Sequence, residues 1–140
     1  MKLQVKLLHS DAKVPSYAHE GDAGMDLFAV LSIDIAPGMR VQVPTGIAVA
    51  IEQGYVGLIW DKSGLSHKSG LKTLGGVVDA GYRGEVFVGL INLGNETYHM
   101  EKGAKIAQML IQEVTHSDIE LVDTLDETVR GEGGFGSTGI

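Results

Sequence analysis

The chain contains no cysteine, which excludes disulfides, thiolate catalysis and cysteine-ligated zinc. Basic residues are scarce: 11 Lys and Arg against 18 Asp and Glu give a formal net charge of −7, and no basic run occurs. A nucleic-acid polymer is therefore not an expected partner, because its affinity rests on Lys and Arg neutralising phosphates. A small polyanion that brings its own metal ion fits the same balance. No stretch approaches the ~18 apolar residues of a membrane span, so no membrane partner is expected. The opening run Met1–Leu8 carries Lys2 and Lys6 among its apolar residues and lacks a cleavage site; it does not read as a signal peptide, and a cytoplasmic location is expected. His9, His19, His67, His99 and His116 form no i, i+4 pair, so no protein-built metal cage is expected. A G-x-x-x-x-G-K-[ST] phosphate loop is also missing.

Glycine is abundant instead. The chain holds 20 glycines in 140 residues, about twice the usual ~7%, which points to many tight turns and an all-β fold. Hydrophobic residues make up 44% and charged residues 21%, the composition of one ordinary globular domain, and a chain of this length buries roughly 68% of its unfolded surface. Alternation with period two dominates. Leu3, Val5 and Leu7 face away from Lys2, Gln4 and Lys6. Leu27 to Ile35 alternate down to a Pro37-Gly38 turn, followed by Met39, Val41 and Val43, and by Ile47, Val49 and Ile51. Glu52-Gln53-Gly54 reads as a hairpin turn into Tyr55–Trp60, and Val86, Val88 and Leu90 mark a further strand. Leu93–Glu96 turns into Thr97–Met100, Glu101-Lys102-Gly103 turns into a strand over Lys105–Val114, and Ile119–Val122 reads as a last short strand. Helical turns are expected only near Gly64–Ser69 and Thr124–Thr128. Short strands at this spacing imply a sandwich, barrel or jelly roll.

Three loops carry more polar chemistry than strands require. Asp22-Ala23-Gly24-Met25-Asp26 reads either as a turn whose carboxylates satisfy backbone donors or as a carboxylate that orders a metal's water shell. Asp61-Lys62-Ser63-Gly64 follows a strand with a cation, a hydroxyl and a glycine; it is either an anion site or a plain connection with Ser63 as helix N-cap. In Gly75–Gly84, two valines run directly into Asp79 between glycines. Asp79 is either a turn residue or a general base at the mouth of a pocket whose glycines let a flat ligand reach the backbone. The tail Arg130–Ile140 adds an arginine, five glycines, Phe135, Ser137 and Thr138: a cationic fork, exposed amides, hydroxyl donors and one ring, suited to a phosphorylated ligand with a base. Its G-x-G-x-x-G over Gly131–Gly136 is not a dinucleotide fingerprint, since only four residues follow and no strand–helix frame surrounds it.

The order D-A-G-M-D-L, K-S-G-L, G-V-V-D-A-G-Y-R-G-E-V, K-I-A-Q and R-G-E-G-G-F-G-S-T-G resembles the five motifs of the trimeric dUTPase family over essentially the whole chain. The third and fifth stretches are the most specific. The resemblance implies a jelly roll, or distorted β-barrel of short antiparallel strands, over residues 1–129, with 130–140 as a glycine-rich phosphate-binding tail of the same domain. It implies a homotrimer with active sites shared between subunits, and hydrolysis of dUTP to dUMP and pyrophosphate with Mg²⁺ held mainly by the triphosphate. That activity keeps uracil out of DNA and supplies dUMP for thymidylate synthesis.

On this resemblance Asp79 would activate the water that attacks the α-phosphorus, and Asp26 would hold the metal through its waters. Lys62, Ser63, Gly64 and Gln108 would grip phosphates. Gly76, Val77 and Val78 would line the uracil pocket, with Phe87 bordering it. Tyr82 would pack where a 2′-hydroxyl would otherwise sit. Arg130 would reach the γ-phosphate, Phe135 would cover the uracil, and Gly136, Ser137 and Thr138 would close over the triphosphate. The chain departs from the family's P-R-S-G with Asp61-Lys62-Ser63-Gly64, from D-x-D-Y with Asp79-Ala80-Gly81-Tyr82, and from arginine at Lys105. Lysine keeps the charge but loses the planar fork. The hairpin residue that is polar in some members is Thr73, with no role assigned. The rival readings are the homologous dCTP deaminase, or its bifunctional form, and a non-catalytic nucleotide-binding regulatory trimer. The K-I-A-Q stretch and the intact tail oppose the deaminase, and Asp79 opposes a non-catalytic module.

Overall fold

The computed structural model describes residues 2–134. Ten strands and one short helix follow one another: β1 (Gln4–Leu7), β2 (Met25–Phe28), β3 (Ile33–Ile35), β4 (Arg40–Ala50), β5 (Tyr55–Trp60), α1 (Ser63–Ser69), β6 (Leu71–Leu74), β7 (Val77–Asp79), β8 (Glu85–Asn92), β9 (Tyr98–Met100) and β10 (Lys105–Glu113). They form a four-stranded sheet ordered β1-β4-β8-β6, a second ordered β2-β10-β5-β7, and a β3-β9 pair. Every ladder is antiparallel. This is the jelly roll expected from the alternation.

Alternation places one face of each strand in the core. Val43, Ile47, Val86, Val88 and Leu90 from the first large sheet meet Leu27, Ile106 and Met109 from the second, and all are essentially inaccessible. Each such side chain contributes about 1.5–3 kcal/mol by leaving water. The helix Ser63–Ser69 lies where one was expected, and Gly70 ends it in the left-handed conformation at φ 69°.

Several expectations are corrected. The alternation from Leu27 to Ile35 is not one strand. It breaks after Phe28, where Ala29 and Val30 are both buried. Ala29 N–H donates to the Ala104 carbonyl at 2.9 Å and Val30 N–H to the Pro44 carbonyl at 3.1 Å, so the backbone turns to bond two different neighbours. Met39–Val43 and Ile47–Ile51 join in one strand across an irregularity between Pro44 and Ala48. The gap is filled from β8: Thr45 Oγ1 donates to the Val86 carbonyl at 2.5 Å, and Gly46 N–H donates to Glu85 Oε1 at 2.8 Å. Glu52–Gly54 does turn the chain, but β4 and β5 belong to different sheets, so it is a corner and not a hairpin. Ile119–Val122 forms no strand and Thr124–Thr128 no helix. Most of their apolar residues find no surface among the described residues to pack on: Ile119 is 99% exposed and Leu125 83%.

Asn92 is the buried polar residue that organises the loop after β8. Its Nδ2 donates to the carbonyls of Ile35 at 2.7 Å and Glu96 at 2.8 Å, and its Oδ1 accepts from Gly94 N–H at 2.8 Å. Removing it orphans three backbone groups. Asn92→Ala is expected to cost about 2–3 kcal/mol and to lower Tm by about 5–10 °C, measured by calorimetry at fixed protein concentration.

Candidate functional site

The candidate residues form two groups, and β5 lies between them. On one edge β5 pairs with β7, with Leu58 opposite Val77, Gly57 opposite Val78 and Val56 opposite Asp79. Ile59 N–H donates to the Gly76 carbonyl at 2.7 Å. Gly76 holds φ at 116°, and a Cβ there would stand 2.7 Å from the Ile59 carbonyl oxygen, so only glycine brings the chain this close. Beyond Asp79 the loop closes on itself. Tyr82 N–H donates to the Asp79 carbonyl at 3.0 Å, and Arg83 Nη1 donates to the carbonyls of Ala80 at 2.6 Å and Tyr82 at 2.8 Å. The Tyr82 hydroxyl donates to the Glu85 carbonyl at 2.8 Å.

The chain then enters β8 in the other sheet, and the crossing leaves a cleft of about 270 Å³. Gly76, Val77, Val78, Asp79, Tyr82 and Phe87 share it, so six residues singled out in the sequence converge. Glu85 and Val86 of β8 also line it, and Ile59 and Gln42 complete its walls. Sequence reasoning did not reach either: Gln42 reads as an ordinary outward polar residue of an alternating strand, and only the pairing of β4 with β8 brings it to the cleft. Asp79 and Val77 are exposed at the lip and Val78 is buried behind them.

The second group sits at the far end of β5, across its other edge. Asp26, Gln108 and Trp60 occupy one row of the ladders β2-β10-β5. Lys62 stands at the N-cap of α1 without a side-chain cap bond; Ser63 is therefore the first helical residue and not the cap. Lys62 Nζ donates to Asp26 Oδ1. Lys105 Nζ lies 2.6 Å from Asp26 Oδ2, yet off the hydrogen-bonding direction, since that oxygen is buried without a hydrogen-bond partner among the described residues. Gln108 Nε2 donates to the Asp61 carbonyl at 2.9 Å. Ser63 and Gln108 line a cleft of about 400 Å³ with Ser66, His67 and Trp60, and Lys62 and Gly64 flank it in sequence. Thr73, without a role in the sequence, donates its N–H and its hydroxyl to Asp61 Oδ1, each at 2.7 Å.

Burial of Asp26 raises its pKa, but the ammoniums of Lys105 and Lys62 outweigh that and hold it below 3.8. Asp61 is likewise held below 3.8: burial opposes, while Lys72 and the Thr73 donors prevail. Both stay ionised at neutral pH.

The register separates the groups. Asp79 is opposite Val56 on β7, and Gln108 is opposite Trp60 on β10. Four residues along and two strands across is on the order of 16 Å. Arg130 joins neither group; its Nε donates to the Gly133 carbonyl at 2.7 Å in an exposed turn. Phe135, Gly136, Ser137 and Thr138 lie outside the described residues. Among the described residues no cluster of three or more His, Asp or Glu could hold a metal ion directly. The buried Asp26 Oδ2 makes no hydrogen bond among the described residues but is ion-paired with Lys105; its chemistry suits accepting from a water of a metal's hydration shell.

A family model for dUTPase matches residues 10–139. The chain is 48% identical over 139 residues to the deoxyuridine 5′-triphosphate nucleotidohydrolase of Clostridium tetani, covering 98% of this chain and 96% of that protein. It is 48% identical over 145 residues to the enzyme of that name from Mycolicibacterium vanbaalenii, covering 98% and 94%. Among solved structures, the Staphylococcus bacteriophage 80alpha dUTPase with dUPNHPP superposes with a TM-score of 0.93 at 32% identity over 99% of each chain. A variant of the dUTPase from phage phi11 of S. aureus, described with a coordinated structural Mg(II) ion, gives 0.83 at 29% identity over 89% of this chain and 98% of that one.

The depressed carboxylates set a pH dependence. A carboxylate held below its unfolded value binds fewer protons when folded. Its contribution is full above that value and is lost as pH falls through the folded one. The Tm gap between wild type and Asp26→Asn should therefore stay constant from neutral pH to about pH 5 and shrink below 3.8. A gap that does not change across that window would contradict the ion pairing described.

Proposed function

The chain belongs to the dUTPase family, and on that premise we propose that it hydrolyses dUTP to dUMP and pyrophosphate by water attack on the α-phosphorus with Asp79 as general base. The observation that carries this reading is the cleft of about 270 Å³ with Asp79 at its lip and Gly76, Val77 and Val78 in its wall. β7 is the edge strand of its sheet. Gly76 turns its carbonyl to β5, so alternation directs the main-chain groups of Val77 and Asp79 off the free edge, where they suit the donor–acceptor edge of a uracil. Tyr82, fixed by its hydroxyl, flanks the position of the sugar, and Phe87 borders the base. A wall of backbone leaves no room for a 5-methyl group. Discrimination then comes from steric clash and main-chain hydrogen bonds, since a methyl-sized contact alone is worth only about 1–3 kcal/mol.

The water's proton passes to the Asp79 carboxylate as its oxygen bonds the α-phosphorus, and the bond to the β-phosphate's bridging oxygen breaks to release pyrophosphate. A positioned base contributes about 10²–10⁴ in rate. Lys62, Ser63, Gly64 and Gln108 hold the phosphates, Arg130 takes the γ-phosphate, and Phe135 to Thr138 close over the ligand and exclude water. Magnesium, carried by the triphosphate and steadied through water by Asp26, supplies neutralisation of phosphate charge when bound. The enzyme acts in the cytoplasm in nucleotide metabolism, supplying dUMP and keeping uracil out of DNA.

A homotrimer with shared active sites is part of this proposal. The backbones at Asp79 and Gln108 stand on the order of 16 Å apart within one chain, and in this reading one chain supplies Asp79 while a neighbour supplies the Gln108 group. The exposed apolar residues Ile119, Leu121, Leu125 and Val129 gain a surface when a second copy covers them.

The deciding assay is pyrophosphate release from dUTP, dTTP, dCTP and UTP in parallel, with and without Mg²⁺. Release confined to dUTP is expected, and ammonia from dCTP would reveal a deaminase. Asp79→Asn should still bind a non-hydrolysable dUTP analogue while kcat falls at least about 10²-fold; full turnover would refute its role. Truncation after Val129 should leave a trimer by analytical ultracentrifugation with little activity, and loss of the trimer would make the tail structural.

A further inference from the structure

Asp61 precedes the phosphate-gripping loop, and the proposed function gives it no task. Its carboxylate nevertheless carries the densest set of bonds in that region. Oδ1 accepts both the Thr73 N–H and the Thr73 hydroxyl at 2.7 Å, and Oδ2 pairs with the Lys72 ammonium at 2.9 Å. Its main-chain carbonyl accepts Gln108 Nε2 at 2.9 Å. Thr73 and Lys72 are on β6 in one sheet, and Gln108 is on β10 in the other. Asp61 thus ties the end of β5 to both sheets one residue before Lys62.

We infer that Asp61 is a positioning residue of the phosphate site: the clasp of its carboxylate on Thr73 and Lys72 fixes where Lys62 and Ser63 present their donors and holds in place the main-chain carbonyl that Gln108 bonds. Proline, the residue that the motif resemblance has at this position, fixes only its own φ and offers no side-chain acceptor. The carboxylate does more, because it locks the loop against β6 in the other sheet. Without the clasp the segment from Trp60 to Ser63 keeps no side-chain hydrogen bond to β6 among the described residues, Lys62 is held only at its tip by Asp26, and the incoming phosphates must order the loop backbone themselves, at a cost in affinity. The uracil cleft is spared. Asp61 is not among its lining residues, and Gly76 is held independently by Ile59.

The inference rests on the proposed phosphate role of the Lys62 group, so the test reads phosphate and nucleoside binding separately. Calorimetry would measure pyrophosphate with Mg²⁺, and deoxyuridine alone, on wild type, Asp61→Asn and Asp61→Ala. In Asp61→Ala, pyrophosphate should weaken on the order of tenfold, as for a lost charge-assisted bond, with deoxyuridine unchanged. Asp61→Asn, which keeps an acceptor for Thr73, should fall between. Should Asp61→Ala not fold, Thr73→Val removes only the hydroxyl bond and should weaken pyrophosphate by a smaller factor, again without touching deoxyuridine. Equal weakening of both ligands, or of neither, overturns the positioning role. A wild type that binds pyrophosphate at this loop but does not turn over dUTP overturns the proposed activity and leaves the positioning role standing.

Discussion

β5 is hydrogen-bonded along both edges, to β10 on one side and β7 on the other, and both clefts depend on that placement. Its register with β7 puts Asp79 at one end, and its register with β10 puts Gln108 and Asp26 at the other. A strand of six residues fixes two chemically different groups because each ladder admits a single alignment: a slip of one residue would turn every side chain to the wrong face. Gly57 lets the strand sit this deep. A Cβ there would lie 2.9 Å from both Ile51 Cδ1 and Met109 Sδ, and the resulting shift would carry β7 and its carboxylate with it.

Charge is arranged against the bulk of the protein. The whole chain is −7, yet Lys62, Lys72 and Lys105 gather around Asp26 and Asp61, so that three cations face two anions. The aspartates do more than cancel. A lysine carries about 2 kcal/mol of rotamer entropy, and pinning its ammonium on a buried carboxylate removes much of that cost before a phosphate arrives. The depressed carboxylates stay ionised at neutral pH, so the arrangement persists without ligand, which is what electrostatic preorganisation requires.

Much of this was legible in the sequence because strands and tight turns leave local signals. The period-two alternation located most strands, and glycine-flanked valines running into Asp79 marked a carboxylate that the fold does place at a cleft. Composition could not supply partners across sheets. Gln42 and Ile59 reach the cleft only through tertiary pairing, and Asp61 shows only as a departure from the family's proline until its bonds to Thr73 are seen. The alternation also misled at both ends of its reach. It ran smoothly through Ala29–Ser32, where the backbone turns to bond Ala104 and Pro44, and it promised a strand at Ile119–Val122, which pairs with nothing among the described residues.

That last failure carries information of its own. Apolar alternation normally finds a buried face within its own chain; here Ile119 and Leu121 are 99% and 98% exposed among the described residues, and the proposed trimer would supply the face they lack. The spacing between the two clefts points the same way on the proposed roles, because the backbones of the base and of the phosphate grip stand on the order of 16 Å apart within one chain. The proposed association of identical chains would meet both demands at once: a second copy would cover the apolar arm of the first and bring Asp79 of one chain to the Lys62 group of another.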